Sequence, residues 1–151
     1  MLFDKRVILL DWKASTCGEA LATLANKLYK AGVVTDEYQV AILERESKFP
    51  TGLMTKTYGV AIPHCYPDKV ITPQIGFMRL AQPVKFRQMG DNAEVEVRIV
   101  FMLALKKSDD QLKMLQTLMA LFQNQELMDR LQMISSTADF VKIMQEAKII
   151  G

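Results

Sequence analysis

The stretch from Val95 to Leu105 constrains this chain most. Apolar residues alternate at Val95, Val97, Ile99 and Phe101, and from Ile99 to Leu105 no polar side chain interrupts them. A bilayer span needs about 20 apolar residues, so a run this short is not one. It suits an interior β-strand covered on both faces, which requires a layer of helices above the sheet and another below.

The rest of the chain supplies those layers. Val7 to Leu10 is a short β-capable run. It is followed by Thr16-x-x-Glu19, a capping-box pattern, ahead of Leu21, Leu24, Ala25 and Leu28 at helical spacing, with Gly32 as the stop. Thr35 is placed to cap a second helix carrying Tyr38, Ala41, Ile42 and then Arg45 on one stripe. Pro50 and Gly52 mark a loop. Gly59-Val60-Ala61-Ile62-Pro63 reads as a short strand ended by its proline, and Ile75 to Leu80 as another strand. Ser108-x-x-Gln111 is a second capping-box pattern, leading into Leu112, Leu115, Leu118, Met119 and Phe122. Asn124 and Ser136 suit N-caps of two further helices, the latter bearing Phe140, Ile143 and Met144. Strands interleaved with helices predict an α/β fold, one mixed β-sheet flanked by helices on both faces, and 151 residues suit a single domain over 1–151.

Charge and cysteine usage exclude several functions. The 19 basic and 17 acidic residues leave +2, and no run of like charge is longer than Lys5-Arg6 or Lys106-Lys107. Nucleic acid and anionic membranes are therefore poor candidates for partners. Cys17 and Cys65 have no Cys-x-x-Cys spacing, the usage of reduced cytoplasmic proteins, and the N-terminus shows no secretory pattern.

Chemistry concentrates on few residues. His64 is the sole histidine, at a strand's exit where open α/β sheets place reactive groups. A neutral imidazole can accept a phosphoryl group near pH 7; the competing reading is an incidental structural histidine. Arg45, on an otherwise inward stripe, needs an anion, and its planar fork matches either phosphate oxygens or a carboxylate such as Glu46. Thr51 offers a hydroxyl, although Pro50-Thr51-Gly52 is also an ordinary turn. One histidine with two scattered cysteines cannot form a zinc site, and no nucleotide-binding glycine pattern is present. A Cys17–His64 nucleophilic pair remains formally open.

Leu43-Glu44-Arg45-Glu46, Pro50-Thr51-Gly52 and Gly59-Val60-Ala61-Ile62-Pro63-His64 together resemble the signature of the fructose/mannitol-type enzyme IIA family of the sugar phosphotransferase system. The resemblance runs over nearly the whole chain. It implies that His64 is phosphorylated and that Arg45 steadies the phosphoryl oxygens, with Thr51 and Glu46 carried over beside them. It further implies a donor, the phosphorylated protein HPr, an acceptor, the IIB component of a sugar permease, and no metal or nucleotide cofactor. Membrane contact would be indirect, through the permease, and a monomer is expected of a relay that docks twice and briefly.

Two departures from that pattern stand out. The spacing between Thr51-Gly52 and His64 is longer by a few residues. Where fructose and mannitol members carry a second histidine at the start of the helix after the apolar strand, this chain has Gln111. Its amide could bond the imidazole or phosphate, or serve the capping box. With Pro83-Val84-x-Phe86-x-x-Met89-Gly90 placed after a strand, these features resemble the galactitol branch. Alternatives of the same fold are a nitrogen-type regulatory IIA and a non-catalytic interaction module. Leu53, Met54, Tyr58 and Tyr66 are apolar candidates for the docking face around His64.

Overall fold

The structure, a computed structural model, describes residues 2–150. The elements follow in the order β1 (Ile8–Trp12), α1 (Cys17–Lys30), α2 (Tyr38–Lys48), β2 (Gly52–Met54), β3 (Gly59–Ala61), β4 (Gln74–Arg87), β5 (Glu94–Ala104), α3 (Ser108–Phe122), α4 (Gln125–Met133) and α5 (Thr137–Glu146). The strands form one mixed sheet in the order β1-β4-β5-β3-β2. β1 runs parallel to β4 and β3 parallel to β5, while the β4–β5 and β2–β3 pairs are antiparallel.

β5 is the central strand, as its apolar faces require. Val100 and Met102 join the core beneath α1 and α2, with Leu24, Leu28, Tyr38 and Ile42. Ile99, Phe101 and Leu103 join the core beneath α3, α4 and α5, with Leu118, Met128 and Phe140. Phe140 fixes α5 on that face, its ring centroid 4.3 Å from Phe77 and 5.1 Å from Phe3, offset contacts that add to the area they bury.

Helix starts follow the caps only in part. Thr16, Asn124 and Ser136 each accept the backbone N–H three residues on, as expected. Thr35 stands two residues before the N-cap Glu37, and its hydroxyl and carbonyl accept from the N–H groups of Glu37 and Tyr38. The Ser108–Gln111 capping box does not form. The N-cap of α3 is Lys107, without a side-chain bond, and Ser108 is already helical. Leu112, counted on the apolar stripe of α3, is 57% exposed.

The strands also outrun their patterns. β4 does not stop at Leu80 but continues to Arg87, so Pro83 lies inside it rather than after it. The register against β5 shifts between Arg79 and Val84, an irregularity where a missing proline N–H costs no ladder bond. Pro50 and Gly52 suggest a loop, but β2, only three residues long, begins at Gly52. It exists because Gly52 lets it close on the end of β4: a Cβ there would meet the Arg87 carbonyl oxygen at 2.5 Å.

Arg79, a buried cation on β4, is bonded through all three guanidinium nitrogens. Its Nε and one terminal nitrogen donate to Asp11 Oδ1, and the other terminal nitrogen donates to the carbonyls of Leu131, Gln132 and Ile134 at the end of α4. It thereby closes the orphan C-terminal carbonyls of α4 onto the sheet. Arg79→Met should lower the unfolding free energy by about 3 kcal/mol, since those buried acceptors lose their donor. Urea denaturation of the variant against the wild type checks this.

Candidate functional site

The site forms where β3 and β5, running parallel, both end. Pro63 cannot continue the β3 ladder as a donor, and its carbonyl accepts the Leu103 N–H at 2.9 Å. His64 then bridges to Leu103 at the end of β5, half-buried. Its Nδ1 lies 2.8 Å from the Ile62 carbonyl oxygen. A carbonyl only accepts, so the proton must sit on Nδ1 and the lone pair on Nε2. Burial lowers the pKa of His64 below 6.5, and the Arg45 charge lowers it further, against the Ile62 bond that raises it. The imidazole is therefore neutral at pH 7, with its free nitrogen a nucleophile.

Helix α2 walls the site. Tyr38 at its first turn is fully buried, and its hydroxyl donates to the Leu103 carbonyl at 2.8 Å. Two turns on, Arg45 and Glu46 point apart, because successive helical residues are separated by about 100°. Glu46 turns inward and is 7% exposed. Its Oε2 accepts the Thr51 N–H and its Oε1 the Thr51 hydroxyl, each at 2.8 Å. Burial raises the Glu46 pKa while both Thr51 bonds lower it. The Thr51 carbonyl in turn accepts the Ile62 N–H at 3.3 Å. Glu46, Thr51, Ile62 and His64 thus form one connected chain of hydrogen bonds.

Arg45 makes no ion pair within 4 Å among the described residues, so the expected alternative of a pair with Glu46 does not form. Its guanidinium carbon lies 4.3 Å from the Phe49 ring centroid and 5.7 Å from that of Tyr66. These rings and Arg45 share a cleft of about 450 Å3 with Ala41, Glu44, Lys48, Asp68 and Lys69.

Other residues singled out by the sequence fare differently. Thr51 is 4% exposed and its hydroxyl proton is committed to Glu46, so it braces the site from behind. Gln111 does not cap α3, and its Oε1 is buried without a partner. Tyr58 packs against α4, donating to the Met128 carbonyl, and is not a free docking side chain; Leu53 packs partly into the same core. Met54 and Tyr66 are more than half exposed. The Cys17 thiol is pushed up to about 12 by burial and by Glu46, which leaves no thiolate for a Cys–His pair. Among the described residues, no three His, Cys, Asp or Glu side chains are grouped to hold a metal, and no helix is long and apolar enough to cross a membrane.

The model of the family described as "Phosphoenolpyruvate-dependent sugar phosphotransferase system, EIIA 2" matches residues 1–147. The chain belongs to this EIIA family. As an EIIA component it is a phosphotransferase. It is 32% identical over 119 residues to the galactitol-specific EIIA component of Escherichia coli strain K12, a match covering 79% of each chain. It is 28% identical over 149 residues to the fructose-specific EIIABC component of Bacillus subtilis strain 168, covering 96% of this chain and 22% of that protein. Its fold is that of the mannitol enzyme IIA of Escherichia coli in its complex with phosphorylated enzyme IIB. There the TM-score is 0.79 at 24% identity, over 97% of this chain and 98% of the other.

The Tyr38 tether and the rings around Arg45 are not legible in the sequence pattern. Tyr38 lay on an apolar stripe and was counted as core, although a buried phenol needs an acceptor. Phe49 stands four residues after Arg45, the spacing at which helical side chains meet. Tyr66 left no such signal, since only the fold brings it to α2.

Thr51→Val, nearly isosteric, removes one donor from Glu46 and should cost about 1–3 kcal/mol. The folded-state pKa of Glu46 already lies above 4.5, so this group loses stability as pH rises through that range, and the variant raises the pKa further. The loss should therefore be larger at neutral than at acidic pH, as denaturation at the two conditions would show.

Proposed function

We propose that the protein is a cytoplasmic phosphocarrier that accepts a phosphoryl group from phosphorylated HPr on Nε2 of His64 and passes it to the IIB component of a permease. The whole chain acts as one phosphocarrier domain and as a monomer. The observation that carries this reading is the Nδ1–H bond of His64 to the Ile62 carbonyl, beside an arginine that makes no ion pair or side-chain hydrogen bond among the described residues. The sugar is galactitol by likeness to the galactitol-specific relatives, since a phosphocarrier meets proteins and its own geometry carries no imprint of the sugar.

In the transfer, the Nε2 lone pair forms a bond to phosphorus as the phosphorus–nitrogen bond of the donor breaks. No proton moves. The positive charge that develops on the ring is met through Nδ1–H by the Ile62 carbonyl, and Arg45 meets the equatorial oxygens of a loose transition state. Gln111, no longer a cap, is read as an amide donor at the position of the family's second histidine. Glu46 and Thr51 hold the chain on which His64 stands.

Incubation with phosphorylated HPr, followed by intact-mass analysis under non-acidic conditions, should show one acid-labile phosphoryl group on the wild type and none on His64→Ala. Arg45→Gln should slow acceptance on the order of 100-fold, as for loss of a donor aimed at developing charge. No transfer to the wild type from a competent donor overturns the reading.

The rate should also fall at a lower pH than it would for an ordinary imidazole, because burial and the Arg45 charge hold the ring's pKa below 6.5. A fall already complete by pH 6 would contradict the environment of His64 described above.

A further inference from the structure

Arg45 poses a physical problem that the phosphocarrier role does not by itself solve. A long guanidinium side chain on the surface end of a helix samples many rotamers, and freezing it during transfer costs entropy. Neither an ion pair within 4 Å nor a side-chain hydrogen bond holds it among the described residues, unlike Arg79 and Arg130, which are held by carboxylates. What does touch it are two aromatic rings, that of Phe49 at 4.3 Å and that of Tyr66 at 5.7 Å, one from the end of α2 and one from the loop just past His64.

Both rings are more than half exposed, at 56% for Phe49 and 53% for Tyr66, so burial of the rings themselves does not account for their placement. A ring attracts a guanidinium through its face and leaves the in-plane N–H groups free. A carboxylate would occupy those same N–H groups and compete with an incoming phosphate. Aromatic contacts are thus the means of holding an arginine that must keep its donors for an anion.

We propose that Phe49 and Tyr66 are positioning residues that clamp Arg45 beside His64 before the phosphoryl group arrives. The proposal rests on the reading of His64 as acceptor and Arg45 as its phosphate-steadying partner. Tyr66 is two residues from His64 and Phe49 is four from Arg45, so the clamp also ties the orientation of the arginine to the loop that carries the histidine.

The test is phosphoryl transfer from phosphorylated HPr, read as kcat and KM, for Phe49→Leu and Tyr66→Leu in wild-type and Arg45→Gln backgrounds. The clamp predicts a roughly three- to tenfold lower kcat for each single variant with KM for the donor little changed, as expected for loss of an exposed cation–π contact. It predicts no further loss when either is added to Arg45→Gln, and recovery in Phe49→Tyr. Since His64 is the only histidine, its ring resonances give a second readout. Its pKa should rise in the clamp variants, in the direction Arg45→Gln moves it, because a released arginine no longer disfavours the protonated ring.

A rise in KM with kcat unchanged would make the rings a docking surface and overturn the clamp. So would an undiminished effect in the Arg45→Gln background, or normal kcat in both single variants while Arg45→Gln is slow. Normal transfer by Arg45→Gln, or no transfer to the wild type, would instead bring down the underlying reading, and the clamp with it.

Discussion

A carboxylate buried as deeply as Glu46 persists only if its oxygens are bonded, and both of them are spent on one residue, Thr51. That condition organises the site. It draws the chain back from the end of α2 into β2, so that the Thr51 carbonyl reaches Ile62, whose own carbonyl orients His64. Removal of the carboxylate would free the loop, and with it the register of the strand that presents the histidine. The requirement extends to Gly52, because β2 can approach Arg87 closely enough only without a side chain at that position.

Helix α2 serves the site through three faces at once. Tyr38 ties its start to the end of β5, Glu46 ties its end to β2, and Arg45 is left facing outward over two rings. The first two contacts are buried, whereas the third is half-buried in its cleft and makes no ion pair or side-chain hydrogen bond among the described residues. A phosphoryl relay needs this division. Under the proposed function the frame must not move between donor and acceptor, yet the charge that would meet the phosphate must remain available to it.

The sheet, its helical layers and the core positions of β5 were legible because strand and helix periods leave strong local patterns, as in Ile99 to Leu105 and in Leu21 to Leu28. His64 and Arg45 stand out by residue type and setting, and the structure brings both to the site at the end of β3 and β5. Less legible was everything decided by long-range approach. β2 has too few residues to show a period and depends on Gly52 meeting Arg87. β4 passes through Pro83 because its partner's register shifts there. The capping box at Ser108 failed because the backbone enters the helix one residue earlier, at Lys107, where no short side chain is available to accept. Thr51 was read toward phosphate and Glu46 toward Arg45, whereas the two satisfy each other; nothing local distinguishes these pairings.

Under the proposed function, Gln111 gives the departure from the fructose and mannitol pattern a physical meaning. A second histidine near the acceptor would titrate in the same range and couple to it, so that acceptance would follow the protonation of a pair. An amide in that proposed position is a group that keeps its donors and its neutrality at any physiological pH. Arg45 is likewise charged throughout that range. Under the proposed function Arg45 and Gln111 offer the phosphoryl oxygens donors that do not titrate, and the acceptor imidazole carries the main pH response of acceptance. Burial and the arginine then set that response together, both pushing the ring toward its neutral, nucleophilic form.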